Sequence, residues 1–450
     1  MKRNSLLKIT VVVLCLIFTS IFCFCQDNNY KYSLWKTKSF FRGFNIIVTQ
    51  NLTQKDFDDL KLLGATIAHL NIYGFLDTVA PYSYIQKHID DIERLIGFCR
   101  NANLYYTFTV RQGPGRRDVY WEGEKVVSKS TIWNNKEEQQ LYAGMIKEIV
   151  EHYKNDSLFV GISPILEPNP LFDTLYFTPE MLKQMLIDKG IDVSGLYKII
   201  IDSIRQIDEQ IPILVQNVAY SCPEFFKIME PIDDNYIVYE FHNYRPSEYV
   251  NETTPNKRTY PGKYISINNL SIEFYDSSFF ENNIFKYIKE FANRTQAPIF
   301  LGEFGLLTEQ IGGIQFINDI SNICLQNGWH FAYWIWRSGG GWDFEKMDVG
   351  YIEKIKEIFA KWTNIINPSG KKFDFTLNPT IIFDQYSTIQ ITGQPSSIAL
   401  IYNINGEILA KIPFDDNTFI LYNTQNLPSG LYFVVILSDK FAFTSYFYKI

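Results

Sequence analysis

Along the chain, short apolar runs alternate with longer stretches in which apolar residues recur every three or four positions. Eight runs read as strands: FFRGFNII (40–47), ATIAHLNI (65–72), LYYTFTVR (104–111), LFVGISPIL (158–166), IPILVQNV (211–218), YIVYEFH (236–242), APIFLGE (297–303) and WHFAYWIW (329–336). All are rich in β-branched or aromatic residues, which suit a pleated, half-buried surface. Between them, Ile85, Ile89, Ile92, Ile96 and Cys99 fall on one helical face. Ile352, Ile355, Phe359 and Trp362 do the same after the eighth run. TPEM at Thr178 has the threonine cap and early proline of a helix start.

Parallel strands need crossover helices, and eight strand–helix units close on themselves. The pattern therefore predicts an α/β fold, a (β/α)8 TIM barrel over residues 26–366. An open doubly wound sheet is the alternative. Eight units and the lack of a glycine-rich phosphate loop after the first strand weigh against it. RQGPGRR (111–117) has neither dinucleotide nor P-loop spacing and reads as a strand-to-helix loop. From Asn367 the texture changes. Alternating apolar positions in STIQITG and SSIALIYNINGEILAKI, with a hairpin signal at Asn405-Gly406, predict a small all-β sandwich over residues 367–450.

Composition narrows the partners. A formal charge of −7 disfavours nucleic acid and anionic membrane. An aromatic content of 16% suits sugar faces, although core packing could absorb it. Lys2, Arg3 and Lys8 precede an apolar stretch, with Cys23 and Cys25 at the −3 and −1 positions before Gln26. Residues 1–25 thus read as a secretory signal peptide, too short in its apolar part for a full span. No other segment reads as a membrane crossing. Cys99, Cys222 and Cys324 are too scattered for a disulfide framework, and five dispersed histidines lack metal-ligand spacing. Neither metal nor cofactor is expected.

A barrel of this kind carries its chemistry at the C-terminal strand ends. The fourth run leads to Glu167, the sixth to His242 and Tyr244, and the seventh to Glu303; the eighth carries Trp334 and Trp336. The second and third end near His69, Asn71 and Arg111. Two strand-end carboxylates suit glycoside cleavage, in which one protonates the leaving oxygen and the other attacks or stabilises the anomeric carbon. On that reading His242, Tyr244 and Arg111 keep Glu303 ionised, and the neighbouring charge raises the pKa of Glu167. Plainer readings stand beside these. His69 and Arg111 could form a structural hydrogen-bonded pair, at least one of Trp334 and Trp336 is expected in the core, and Tyr120, Trp121 and Trp133 suit either sugar stacking or a solvent shield.

RGFN, the segment IWNNKEEQQLYAGMIKEIVEHYKNDSLFVGISPILEPNP, HNY, FLGEFG and the tryptophan-rich eighth strand together resemble glycoside hydrolase family 5, the cellulase-like family of clan A. The resemblance covers nearly the whole barrel. It implies Glu167 as acid/base, Glu303 as nucleophile, and His242, Tyr244 and Asn45 in supporting roles. Trp334 or Trp336 would floor the −1 sugar, with Trp336 preferred as nearer the mouth. Three positions depart from the family pattern: Leu166 replaces an asparagine, and His69 and Arg111 stand as if exchanged. The C-terminal stretch, with LNPT, IYNINGEIL, NLPSGLYFVVI and Lys449-Ile450, resembles the sorting domain of the type IX secretion system of Bacteroidetes. The expectation is a secreted or surface-displayed monomer, a retaining β-glycoside hydrolase acting on a polysaccharide or glycan. The alternative is a catalytically silent, glycan-binding barrel.

Overall fold

A computed structural model describes residues 30–117, 120–122, 125–127, 129–171, 177–266 and 271–360. Beyond these it describes 377–378, 381–382, 388–392, 397–403, 408–414, 419–428, 430–438 and 441–449. The expected signal peptide and the connection after residue 360 lie outside the described residues. The chain forms two compact units, Met1–Lys361 and Trp362–Ile450.

Eight parallel strands close the barrel of the first unit. They are β1 (Arg42–Ile47), β2 (Ile67–Ile72), β3 (Tyr105–Val110), β4 (Phe159–Ser163), β5 (Ile213–Gln216), β6 (Ile237–Asn243), β7 (Ile299–Phe304) and β8 (His330–Tyr333). Each pairs with its neighbours in chain order, and β8 closes on β1. All eight apolar runs became strands, but four stop short of their expected ends. β3 ends at Val110, β4 at Ser163, β5 at Gln216 and β8 at Tyr333. Glu167, Trp334 and Trp336 therefore lie on loops past the strands rather than within them.

The helices cover the barrel by the faces their periodicity marks out. Helix α1 (Tyr30–Lys36) precedes β1, and α2 (Gln54–Leu62) and α3 (Gln86–Ala102) follow β1 and β2. α4 (Lys136–Tyr153) follows β3, and α5 (Pro179–Asp188) and α6 (Val193–Arg205) lie between β4 and β5. α7 (Lys286–Thr295), α8 (Gly313–Asn327) and α9 (Val349–Ala360) complete the shell. α3 buries Ile92, Leu95, Ile96 and Cys99. α5 starts where expected, with the Thr178 hydroxyl accepting from Met181 N–H and Pro179 in the first turn. Trp362, expected on the α9 stripe, lies outside the described residues. Cys99, Cys222 and Cys324 are buried free thiols. No helix among the described residues is long and apolar enough to cross a membrane.

Inside the barrel the side chains form a dry floor and a polar upper half. Ile67, Val160, Leu214, Val238, Phe300 and Ala332 pack with Tyr32 and Trp35 of α1, which stoppers the N-terminal end. Trp35 Nε1 donates to Val160 O at 2.8 Å. His330 is locked there between the Phe41 amide and Trp35 O, and burial pushes its pKa down to about 4. Above the floor, Asn45, His69, Asn71, Thr107, Thr109, Gln216, Glu240 and His242 are all buried. So many polar groups need mutual hydrogen bonds to remain inside, and these lead up to the barrel mouth.

The second unit is all-β, as its texture predicts. One sheet joins Leu377–Asn378, Thr388–Thr392 and Phe419–Asn423. The other runs Ile381–Ile382, Phe441–Lys449, Gly430–Ser438, Ser397–Asn403 and Ile408–Phe414. Its own core comprises Ile391, Ala399, Ile401, Phe414, Tyr432, Val434 and Ile436. Ser397–Asn403 and Ile408–Phe414 pair antiparallel, as a hairpin at Asn405-Gly406 requires; the turn residues lie outside the described set.

Candidate active site

Strand β6 presents alternate residues inward, from Val238 on the floor through Glu240 to His242. β7 begins the same way, with Phe300 on the floor and Leu301 outward in the helix-facing core. A strict alternation would then turn Glu303 outward. Instead the register slips: Leu301 lies opposite Phe241, and the next pair is Glu303 with His242. Gly302 is the extra residue of a bulge, and bulges re-aim the side chains that follow. Glu303 thus faces the mouth, and Phe304 returns to the outer core. Gly302 has no room for a side chain, since a Cβ there would fall 2.1 Å from Glu240 Oε1.

Glu167 is positioned differently, on a loop fixed at each step. Tyr142 OH donates to Pro164 O at 2.7 Å, Leu166 N–H to Val110 O at 3.0 Å, and Arg116 Nη2 to Leu166 O at 2.8 Å. Glu167 N–H donates to Gln216 Oε1 at 2.6 Å. Glu167 itself has φ 44°, a left-handed conformation unusual for a glutamate and held here by those bonds.

The two acids meet at His242. Its Nδ1 lies 2.8 Å from Glu167 Oε1 and 3.7 Å from Glu303 Oε2. Tyr244 OH donates to Glu303 Oε2 at 2.9 Å. One oxygen from each carboxylate and a His242 ring nitrogen all lie within 4.8 Å of one another. They sit in a cleft of about 850 Å³, lined also by Arg111, Leu166, Tyr220, Trp334 and Trp342. This is the one trio of His, Cys, Asp or Glu among the described residues spaced closely enough to hold a cation. Its carboxylates are the groups glycoside cleavage needs, and no metal is assigned to it.

Burial pushes the Glu303 carboxyl up to about 7; Glu167 adds to the shift, while His242, Tyr244 and Arg111 oppose it. The two carboxyls titrate as a pair, and Glu303 is the more buried partner, its side chain 6% exposed against 25% for that of Glu167. For His242 burial alone would lower the pKa, but Glu303, Glu167 and Glu240 together raise it well above its usual value. The three surrounding carboxylates thus favour the imidazolium form of the ring. Burial and the two nearby carboxylates push Tyr244 up as well, so it remains a donor.

Not every expected residue reaches the mouth. Trp334 lines the cleft, but Trp336 does not. Trp336 is buried against Phe44 and donates Nε1–H to Asp56 O at 3.0 Å, because the chain leaves β8 three residues earlier and turns outward over β1. His69 is also absent from the mouth. It lies one layer below, with Nε2 3.1 Å from Glu240 Oε1, so it is not paired with Arg111. Arg111 does line the cleft, and it donates to Asn71 Oδ1 at 3.2 Å. Asn71 in turn donates to Asn45 Oδ1 at 2.8 Å, and Asn45 Nδ2 to Gly302 O at 2.7 Å. Asn45 therefore braces β7 from beneath. Trp133 is buried under the Arg116 guanidinium, which favours the shield reading; the side chains of Tyr120 and Trp121 lie outside the described residues. Sequence reasoning missed Glu240, Gln216 and Trp342, the last edge-on to Tyr244. For Glu240 the signal was present, since it stands two residues before His242 in a strand and so shares its face.

The chain matches the family described as cellulase (glycosyl hydrolase family 5) over residues 32–340. Endoglucanase C of Acetivibrio thermocellus is 23% identical over 349 residues, which cover 70% of this chain and 90% of that protein. A β-xylosidase of Phanerodontia chrysosporium is 23% identical over 124 residues, 27% of this chain and 26% of its own. Among solved structures, endoglucanase Cel5A from the hyperthermophilic Thermotoga maritima superposes with a TM-score of 0.54 at 16% identity, over 73% of this chain and 99% of that one. A likeness at that identity speaks for the barrel fold. The family match takes in both glutamates and well over half of the sequence, so the chain belongs to glycoside hydrolase family 5 and is a glycoside hydrolase.

Proposed function

We propose that the protein is an endo-acting, retaining β-glycoside hydrolase that cleaves a β-linked polysaccharide by double displacement. Glu303 is the nucleophile and Glu167 the acid/base. The observation that carries this reading is the approach of the two carboxylates to within 4.8 Å, oxygen to oxygen. Retaining enzymes need roughly 5–5.5 Å between carboxyl groups, and inverting enzymes roughly 6.5–9.5 Å to admit a water.

In the productive state the pair carries one proton, on Glu167. Glu303 attacks the anomeric carbon as Glu167 protonates the departing glycosidic oxygen. Imidazolium His242 and Tyr244 OH hold the Glu303 anion in line until the glycosyl ester forms. Once that ester has neutralised Glu303, Glu167 takes a proton from water, and the resulting hydroxide releases the sugar. Trp334 and Trp342 offer apolar faces for the ring. The relatives are described as endoglucanase and β-xylosidase, and Thermotoga Cel5A was crystallised with cellobiose and with mannotriose. Glucan, mannan and xylan are therefore the substrates to try. The sequence resemblances at both ends of the chain support export and surface delivery.

The test is the purified protein against soluble β-glucan, mannan and xylan. New reducing ends as oligosaccharides of retained configuration are expected from at least one. Glu167→Gln should lower kcat by about 10²–10⁴-fold, the usual share of a positioned acid, and Glu303→Gln should abolish turnover, both with the fold intact. Retention of the protein in glycan-containing gels with no new reducing ends would establish the binding-only alternative instead.

A further inference from the structure

Glu240 is a fully buried carboxylate to which the double displacement gives no part. Its Oε1 lies 3.1 Å from His69 Nε2 and 3.2 Å from His242 Nε2, and Oε2 has no hydrogen-bond partner among the described residues. A buried ion is costly, and apolar replacement of such groups is often neutral or stabilising. Stability is therefore a poor reason for its presence. The barrel also makes room for it, because Gly302 lacks a side chain where the carboxylate passes.

The geometry explains what the charge does. His242 directs Nδ1 at Glu167 and Glu303 and Nε2 at Glu240. A ring with an acceptor at each nitrogen has one orientation and keeps both protons. We propose that Glu240 is a positioning residue: it holds the His242 ring by Nε2–H, so that Nδ1–H faces both reacting carboxylates, and His69 on the opposite strand braces Glu240. This rests on the reading of Glu167 and Glu303 as the reacting pair.

The charged and titratable groups around this relay are few. Glu240 from β6, Glu303 from β7 and Glu167 beyond β4 face His242, and Arg111 beyond β3 and Tyr244 beyond β6 face Glu303. His69 from β2 and His242 face Glu240, with Tyr197 of α6 further out. Although burial opposes it, His69 and His242 hold Glu240 well below the usual carboxylate range. Removing that charge leaves the His242 ring free to turn and readier to lose its Nε2 proton.

The test begins with ¹⁵N NMR of the histidine-labelled parent protein at pH 7. Both His242 ring nitrogens are expected to be protonated; a neutral ring would overturn the proposal. Glu240→Gln keeps the shape without the charge. Its kcat should fall by about 10- to 100-fold, the range for outer partners that orient a working imidazole, with KM near that of the parent. The pH at which its His242 ring loses a proton, followed by the same ¹⁵N signals, should fall as His242 loses an anionic neighbour. His69→Gln should shift both quantities in the same direction by less. A folded Glu240→Gln protein with parental kcat and ring titration would refute the assignment. If that variant does not fold, the parental ring spectrum and His69→Gln decide. The ring spectrum needs no turnover, so an inactive parent would remove only the hydrolase reading.

Discussion

At Glu303 burial and the Glu167 charge push against His242, Tyr244 and Arg111, and the carboxyl comes to rest near 7, well above its usual 4.5. Two close carboxyls titrate as a pair, so the singly protonated pair should disappear as pH rises past that value. A kcat/KM profile with its alkaline limb near pH 7 is expected. The same shift has a sign for stability. Between 4.5 and 7 the folded state retains a proton that the unfolded chain releases, so folding weakens as pH climbs through this window. The loss approaches about 3 kcal/mol once the shift is complete. Glu303→Gln removes it. That variant should melt above the parent at pH 8, with the gap closing toward pH 5, as thermal unfolding at the two pH values would measure. The nucleophile is thus expected to be the residue the fold would be more stable without.

Among the elements, β7 shows what sequence periodicity can and cannot convey. The apolar run 297–303 marked the strand, and the strand formed. Its phase was hidden, because a period of two carried up from Phe300 turns Glu303 outward, and nothing local announces that Gly302 is an added residue. Gly302→Ala should destabilise the barrel by about 1–3 kcal/mol through overpacking and reduce kcat as Glu240 or Glu303 is displaced. Urea unfolding and steady-state kinetics would read these separately, and a variant with parental values in both would contradict the bulge geometry. The same limit explains Trp336. Alternation within an eight-residue strand put it beside Trp334, but the pairing of β8 ends at Tyr333 and the phase is lost. Glu167, His242 and Tyr244 were legible because polar groups ending apolar runs have few other places to go. Gln216 and Asn45 were not legible as braces, because their partners are backbone atoms of segments distant in sequence, the Glu167 loop and β7.

For the whole molecule, the chain divides into the units Met1–Lys361 and Trp362–Ile450. Each unit has a hydrophobic core of its own, the hallmark of a part able to fold alone. A chain ended at residue 376 is therefore expected to unfold cooperatively and to keep the kcat/KM of the full protein. Loss of activity in a folded truncated barrel would show that the site depends on the β-rich unit. The fold of the second unit was readable from its alternating strands, whereas a sorting role for it rests on the motif resemblance alone. The described barrel also contains no cross-link. Cys99 in α3, Cys222 beside the cleft and Cys324 in α8 are unbridged, and burial pushes Cys222 up to about 12. Assembly of the barrel accordingly waits on no oxidant, and mild reductants have nothing there to cut. Cys99 and Cys324, both fully buried, become open to alkylation only when their own stretches open, so labelling rates at these two positions form a clock for local unfolding that the protein already carries.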